Sequence, residues 1–221
     1  VMAGRLSQND LAGIGLGGSI YISVYIGLMG TLLGLSPVAG QHFGAGRHHE
    51  IGATFRQSVW LALALAAPGC IALTWVDPWL AFSSPPPEVA AVTRAYLAAT
   101  AVGLPPALLF RSFYALNVSI ARPRIVMYVN LVMVALKVPL NSVFIGGWEA
   151  VGIPAMGAAG CGVSTAVLSW LSALLAVAWI ALDRSYARFD VLGWSPPDAK
   201  RLGELLRIGL PIGASYVVEI T

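Results

Sequence analysis

Long apolar runs, separated by short polar connections, make up most of this chain. Two charged residues, Arg111 and Lys137, interrupt the runs from within. The runs cover residues 11–41, 57–76, 95–120, 125–148 and 150–182. Each reaches the ~20 residues with which an α-helix crosses the hydrocarbon core of a membrane. The pattern therefore predicts five complete membrane-spanning helices, followed by a sixth that begins near Ile208.

The composition agrees with this pattern. Hydrophobic residues make up 57% of the chain, charged residues 10%, and the mean hydropathy is +0.78. Such values lie outside the range of soluble globular domains. No nucleophile–base pair and no set of metal ligands lies on a polar segment, so we expect neither an enzyme nor a cofactor. The basic residues lie at helix ends, which argues against a nucleic-acid partner.

The basic residues are distributed unequally between the two ends of the predicted spans. If the spans alternate in direction, one side receives nine of the thirteen Lys and Arg residues, mostly in the connections 40–58 and 183–207. The opposite side receives only Arg5 and Arg94. The positive-inside rule then makes the basic side cytoplasmic.

The longest polar connection covers residues 183–206. Pro196 and Pro197 followed by Asp198 predict the start of a short helix, Ala199–Leu206. Two interpretations stay open for this connection. It is either an amphipathic element on the cytoplasmic surface that links two helix bundles, or a flexible loop.

Glu219 is a lone carboxylate within the apolar segment that follows Arg207. At about 1.5 Å per residue it lies roughly 18 Å beyond Arg207, near the middle of a ~30 Å hydrocarbon core. Insertion of an acid at that depth costs on the order of 3 kcal/mol, so such residues commonly mark ion or substrate pathways. The alternative is a carboxyl group that is merely protonated or paired inside a helix bundle.

The predicted span 125–148 carries a polar stripe. Asn130, Lys137 and Asn141 fall within about 40° of one helical face, which should point to the bundle interior. Lys137 should pair with a carboxylate or lose its proton, unless its side chain extends to the membrane surface. On the next span, Ser164 and Thr165 can either ligate a hard cation or donate to a backbone carbonyl one turn earlier. For Arg111, extension to the surface and a place in a substrate cavity are about equally supported.

A series of short motifs adds a family resemblance that covers essentially the whole chain. In order, they are Val1-Met-Ala-Gly4, Pro37-Val-Ala-Gly-Gln41, Gly44-Ala-Gly-Arg47, Gly103-Leu-Pro105, Arg122-Pro123, Pro139-Leu-Asn141, Gly160-Cys-Gly-Val163, and Leu210-Pro211 with Glu219. Together they resemble the multidrug and toxic compound extrusion (MATE) family, in its NorM-like branch.

The resemblance implies an all-α polytopic membrane protein with twelve helices in two lobes. Both ends of the chain look cut, so we expect a fragment that holds most of the N-terminal lobe and is inactive alone. Residues 1–8 would be the tail of a truncated first helix with an external loop. Residues 9–182 would form five transmembrane helices, 183–206 the cytoplasmic linker between lobes, and 207–221 the start of the seventh helix.

The resemblance also implies a function and site residues. The family exchanges cationic, amphipathic drugs for H⁺ or Na⁺, here in the bacterial inner membrane, with the bilayer as surroundings and a monomer as the expected state. Glu219 matches the family's coupling glutamate, and Asn141 and Thr165 match its N-lobe cation site, so Na⁺ could bind at either place. The substrate cavity would include Asn130, Arg111 and Tyr216.

Lys137 departs from the family pattern, in which a second asparagine often stands four residues before Asn141. A fixed cation there would repel Na⁺, so we expect H⁺ coupling at the N-lobe. The alternative function is a flippase for lipid-linked glycans with the same lobe architecture, which should have a strongly basic cavity.

Overall fold

The computed structural model describes residues 7–148 and 155–220, which are predominantly helical. Ser7 caps the first helix, because its hydroxyl accepts from the backbone N–H of Asp10. Residues 1–6, most of the expected first-helix tail, lie outside the described residues, as do 149–154 and 221. The α-helices are α1 (Gln8–Leu32), α2 (Leu35–Gly44), α3 (His48–Thr74), α4 (Asp77–Ser83), α5 (Pro87–Ser119), α6 (Pro123–Gly146), α7 (Gly157–Leu182) and α8 (Ala199–Ile220). A 3₁₀ helix, Arg184–Phe189, follows α7.

The five predicted spans are confirmed. Within the described residues, five helical segments are long and apolar enough to cross a membrane, and they fall on the five apolar runs of the sequence. The first consists of α1 and α2, which meet at a turn around Leu33 and Gly34. The protein is therefore a multi-pass membrane protein. The short helix α4, between the second and third spans, was not predicted.

Helix α5 lies at the centre of the bundle and packs against α1, α3 and α7. Leu97, Leu104 and Leu108 on this helix are fully buried. Small residues bring α5 and α7 together, because a Cβ on Gly103 would lie 2.7 Å from the Cα of Ala166. Close approach through small residues is the usual way in which helices pack within a membrane.

Helix α8 packs along α1 through a similar contact. A Cβ on Gly209 would lie 1.9 Å from the carbonyl oxygen of Thr31, and one on Gly213 would lie 2.8 Å from the carbonyl oxygen of Gly27. Both positions therefore require glycine, and the two backbones touch along this line.

The connection between α7 and α8 is folded onto the bundle, and the flexible-loop interpretation is wrong for these described residues. Tyr186 and Phe189 of the 3₁₀ helix are buried. Burial raises the pKa of Tyr186 to about 12, so its hydroxyl stays protonated and donates to Oδ1 of Asn117 at 2.5 Å. The closest backbone contact is at Gly52 on α3, where a Cβ would lie 1.8 Å from the carbonyl oxygen of Phe189.

Side chains of α3 hold the rest of this connection in place. Gln57 donates to the carbonyl of Pro196 at 2.8 Å and accepts from the backbone N–H of Asp198 at 2.8 Å. The indole of Trp60 donates to the carbonyl of Ser195 at 3.0 Å. The three bonds place the connection across the ends of the membrane helices.

The helix predicted for Ala199–Leu206 begins where expected but does not end there. It continues through Pro211 to Ile220 as one helix, so the boundary expected between residues 206 and 207 falls inside α8. Near its start, Arg201 pairs with Glu50 of α3 at 2.8 Å. Packing against α1 and α3 therefore joins a polar connection and an apolar span into a single element.

Candidate functional site

The polar stripe of α6 faces α7, its main packing partner. Lys137 Nζ donates to Thr165 Oγ1 at 3.5 Å, and Asn141 Oδ1 accepts from Ser164 Oγ. Asn130 lines a cavity together with residues of α7. The two helices run antiparallel, so later positions on α6 meet earlier positions on α7. The structure thus brings Lys137 and Asn141 into contact with α7 and places Asn130 at a cavity that α7 also lines.

The hydroxyls of α7 also bond within their own helix. Thr165 Oγ1 donates to the carbonyl of Cys161 at 2.8 Å, and Ser164 Oγ lies 3.0 Å from the same carbonyl. Both therefore make the local backbone contacts that were one of the two interpretations of these residues. Ser164 is fully buried.

The oxygens around Asn141 are of the kind that a hard cation prefers. The amide of Asn141, the two α7 hydroxyls and the carbonyl of Cys161 lie next to one another and could contribute ligands. Lys137 places an ammonium group at the edge of the same cluster, at Thr165. In residues 7–148 and 155–220, no group of three His, Cys, Asp or Glu side chains could hold a metal ion. The cluster therefore combines cation-binding oxygens with a cation of its own.

A cavity of about 350 Å³ lies between α1, α5, α6 and α7, and its lining begins one helical turn beyond Thr165, at Leu168 and Ser169. It contains two predicted substrate residues, Arg111 and Asn130. Its other polar lining residues are Tyr21, Tyr25, Ser169 and Ser172. A polar cavity among apolar helices is the kind of space in which membrane transporters place substrate and ion sites.

Arg111 points inward from α5. Its Nε donates to Sδ of Met29 at 3.0 Å, and its guanidinium lies 4.9 Å from the centre of the Tyr114 ring. Together with its place in the cavity wall, these contacts favour the cavity interpretation over extension to the membrane surface. The contacts with Met29 and Tyr114 also limit how freely the charge can turn toward a ligand.

Tyr21 and Tyr25 are cavity residues that the sequence analysis missed. Their rings stack with centroids 5.7 Å apart and an angle of 5° between the planes. Residues four apart on a helix share a face, so the spacing could have indicated the pair. Tyrosine is common at half-buried positions of any helix bundle, however, and the spacing alone does not distinguish a cavity wall from ordinary packing.

Glu219 and Tyr216 lie on α8, away from this cavity wall. The Glu219 side chain is exposed, and it makes no hydrogen bond or ion pair within the described part of the chain. The ring of Tyr216 lies beside α1, 3.4 Å from the position that a Cβ on Gly30 would take. The structure therefore does not bring the predicted residues of α8 together with those of α5, α6 and α7.

Comparison with known proteins adds independent information. The family model described as MatE matches residues 1–143. The probable multidrug resistance protein NorM of Aromatoleum aromaticum is 39% identical over 222 residues, which cover 100% of this chain and 48% of that protein. A protein of the same description from Neisseria meningitidis serogroup B is 36% identical over 224 residues, covering 99% and 48%. The chain spans about half the length of the relatives it matches.

The fold has counterparts among solved structures. The crystal structure of the eukaryotic MATE transporter AtDTX14 matches with a TM-score of 0.83 over 99% of this chain and 48% of that chain. At 15% sequence identity, this likeness concerns the fold alone. The sequence match over residues 1–143 and the shared arrangement of helices lead to the same conclusion. The chain belongs to the MATE family.

Proposed function

We propose that this chain holds most of the N-terminal lobe, the linker and the start of the seventh helix of a secondary active antiporter in the bacterial inner membrane. The antiporter exports cationic, amphipathic drugs in exchange for H⁺ or Na⁺. Family membership and the relatives' description as probable multidrug resistance proteins support the proposal. The observation that carries it is a set of polar contacts between two otherwise apolar helices, α6 and α7. Lys137 contacts Thr165 and Asn141 contacts Ser164, next to a polar cavity.

The cavity wall suits a flat, cationic ligand. The stacked rings of Tyr21 and Tyr25 offer aromatic faces, which attract cations and aromatic drugs. Arg111 is the only basic residue in the described lining of this cavity. A flippase for anionic lipid-linked glycans would need several bases there, so the lining does not favour that alternative.

We assign H⁺ as the coupling ion of this lobe. Lys137 lies against Thr165, where its ammonium would oppose a Na⁺ ion bound by Asn141 and the α7 hydroxyls. Glu219 would be the carboxylate that takes up and releases the proton in α8. Protonation changes its charge, which shifts the balance between inward-facing and outward-facing states.

Ethidium efflux from cells that lack their own pumps tests the proposal. The cells express the natural reading frame that encodes these residues, either unchanged, with Glu219→Gln, or with Glu204→Gln as control. Glu204 is an exposed acid on the same helix, fifteen residues earlier, so the control changes the same charge. We expect efflux from the unchanged protein and from Glu204→Gln, and loss of efflux from Glu219→Gln at equal expression.

Other outcomes would correct specific parts of the proposal. Equal efflux from all three proteins would support drug export but contradict a role of Glu219 in coupling. No ethidium efflux from any of them, despite normal insertion in the membrane, would contradict drug export. Efflux that depends on Na⁺ and survives collapse of the pH gradient would contradict H⁺ coupling.

A further inference from the structure

A second cavity, of about 340 Å³, lies on a different side of the bundle from the cavity lined by Arg111 and Asn130. Its walls are α3, α5 and α7, and residues 191–195 of the connection between α7 and α8 close one end. Arg56 and Ile180, near the outer ends of α3 and α7, place it next to the cytoplasmic connection. Nearly all the remaining lining residues are apolar. This volume is within the range of sites that bind small molecules, roughly 300–1,000 Å³.

The cavity is open on the outer surface of the helices. Val177 of α7 is 57% exposed, and Leu63 of α3 is 44% exposed. Trp60 and Trp194 also line it, and Trp194 is 83% exposed. Tryptophan concentrates where a membrane meets water, so these rings mark the depth of the lipid headgroups. Below that depth, an opening between membrane helices meets the acyl chains of the bilayer.

A polar space of about 350 Å³ adjoins the apolar cavity at its cytoplasmic end. The two spaces share Ile180, Val191 and Leu192, and the polar one is also lined by Arg184. Its two carboxylates are already matched, because Asp183 pairs with Arg122 and Asp190 pairs with Arg56. Arg184 is exposed and has no ion pair within residues 7–148 and 155–220. The polar space therefore carries one cation that is not neutralised by the described chain.

We propose that these adjoining spaces bind an anionic glycerophospholipid of the cytoplasmic leaflet. One acyl chain occupies the apolar cavity between α3 and α7, and the phosphate-bearing headgroup lies at Arg184. The lipid fits both halves of the site, since a chain needs an apolar slot open to the bilayer and an anionic headgroup needs an unpaired base above it. The connection between α7 and α8 closes one end of the cavity, where the indole of Trp60 donates to the carbonyl of Ser195, and it is therefore part of the proposed binding site.

Native mass spectrometry of the detergent-purified protein tests this site. The protein from the natural reading frame is titrated with phosphatidylglycerol, or with phosphatidylcholine of the same acyl chains. Val177→Trp fills the mouth of the cavity, whereas Leu174→Trp adds the same indole to an exposed position of α7 outside the lining. We expect bound phosphatidylglycerol on the unchanged protein and on Leu174→Trp, and its loss from Val177→Trp.

The headgroup contact is tested with a second pair of variants. Arg184→Gln should weaken phosphatidylglycerol binding by about fivefold, the effect of one basic residue near an anionic lipid, and leave phosphatidylcholine unchanged. Arg188→Gln is the matched control, because Arg188 is on the same 3₁₀ helix but lines neither space. Thermal unfolding of all four variants establishes that each is folded.

Three results would overturn the proposal. Equal binding by Val177→Trp and Leu174→Trp would show that the lipid binds elsewhere. Equal affinity for the two lipids, unaffected by Arg184→Gln, would contradict recognition of an anionic headgroup by Arg184. Absence of both lipids from a folded, unchanged protein would contradict lipid binding at this site.

Discussion

In the proposed function, Lys137 disfavours Na⁺ at the polar contacts between α6 and α7. Its ammonium lies 3.5 Å from Thr165 Oγ1, beside the oxygens that would otherwise suit Na⁺. Two unit charges 4 Å apart repel by about 4 kcal/mol at an effective dielectric constant of 20. A repulsion of this size lowers the affinity for Na⁺ by more than about a hundredfold, so we expect Na⁺ not to bind beside Lys137.

Lys137→Asn should therefore make efflux responsive to Na⁺. The substitution removes the charge and adds an amide oxygen one helical turn before Asn141, which supplies a further ligand. We expect the ethidium efflux rate of the variant to rise several-fold with added NaCl at a fixed pH gradient. The unchanged protein should not respond. Lys137→Met separates the two effects, because it removes the charge without adding an oxygen ligand.

The carboxylate of Asp183 makes a pH-dependent contribution to stability. Hydrogen bonds from Ser185, and the nearby Arg122 guanidinium, hold the pKa of this carboxyl below its usual range. Because the pKa is lower in the folded protein than in the unfolded chain, the stabilisation is present above the usual aspartate pKa of about 3.9. It is lost as the pH falls through the lower, folded value.

Asp183→Asn should accordingly lower the thermal unfolding midpoint near neutral pH. The difference in midpoint between the variant and the unchanged protein should become smaller at acidic pH. The comparison is made on detergent-purified protein from about pH 7 down to about pH 3. The difference between the two proteins should decrease as Asp183 is protonated. A difference that stays constant over this range would contradict the assignment of the contribution to the charged carboxylate.

Some site residues could be predicted from the sequence, and others could not. Asn130, Arg111 and Lys137 are recognisable because polar groups are rare and costly in apolar spans, so each requires a partner or a cavity. Tyr21 and Tyr25 have no such signal, since tyrosine satisfies apolar and polar surroundings equally well. Their role depends on the path of α1 past α5, which is a tertiary property.

At the scale of elements, glycines set how closely the chain can fold back on itself. Gly52 allows the connection after α7 to lie directly on α3, with the carbonyl of Phe189 where a side chain would otherwise be. The bonds from Gln57 and Trp60 then extend the contact. This docking makes a polar, proline-containing segment an ordered part of the fold.

Gly52→Ala should therefore loosen the connection. The added methyl group would overlap the Phe189 carbonyl, and relief of the overlap should cost about 1–3 kcal/mol. We expect a lower unfolding temperature and faster tryptic cleavage at Arg184 and Arg188. Gly40→Ala is the control, because nothing lies within 4 Å of its Cβ position. It should leave cleavage unchanged, and a similar effect of both substitutions would contradict the role of the contact.

The membrane-spanning helices could be predicted from the sequence. Backbone N–H and C=O groups without hydrogen bonds are very unfavourable in lipid, so a long apolar segment that crosses the membrane must form a helix. The docking of residues 183–198 on α3 could not be predicted from the sequence. It depends on contacts with α3 more than a hundred positions earlier, and the local sequence resembles that of many flexible loops. The continuity of α8 across residues 206 and 207 was missed for a similar reason, since it depends on packing against α1 and α3.

At the scale of the whole molecule, α6 is the element with the least cover. Val126 and Val129 are its buried residues in the described structure, while Asn130 and Lys137 are exposed. A membrane helix with an exposed polar face is unfavourable next to lipid. The relatives are about twice as long as this chain, so their additional helices are the natural candidates to cover it.

These 221 residues alone should insert into the membrane but not export ethidium. The proposed cavity would lack its second lobe, and Glu219 would lack neighbouring groups. Efflux should appear when the chain is joined to the part of the Aromatoleum aromaticum relative that it does not match. Efflux from the 221 residues expressed alone would contradict the need for a second lobe.

The unbroken course of α8 has a mechanical consequence. One helical segment of roughly 30 Å joins Arg201, which pairs with Glu50, to Glu219. Between these two ends, Gly209 and Gly213 pack closely against α1, so the segment can tilt only about these contacts. A tilt about these contacts that strains the ion pair moves the exposed Glu219 carboxylate in the opposite direction. We therefore expect a change of charge at Glu219 and the strength of the Arg201–Glu50 pair to be coupled.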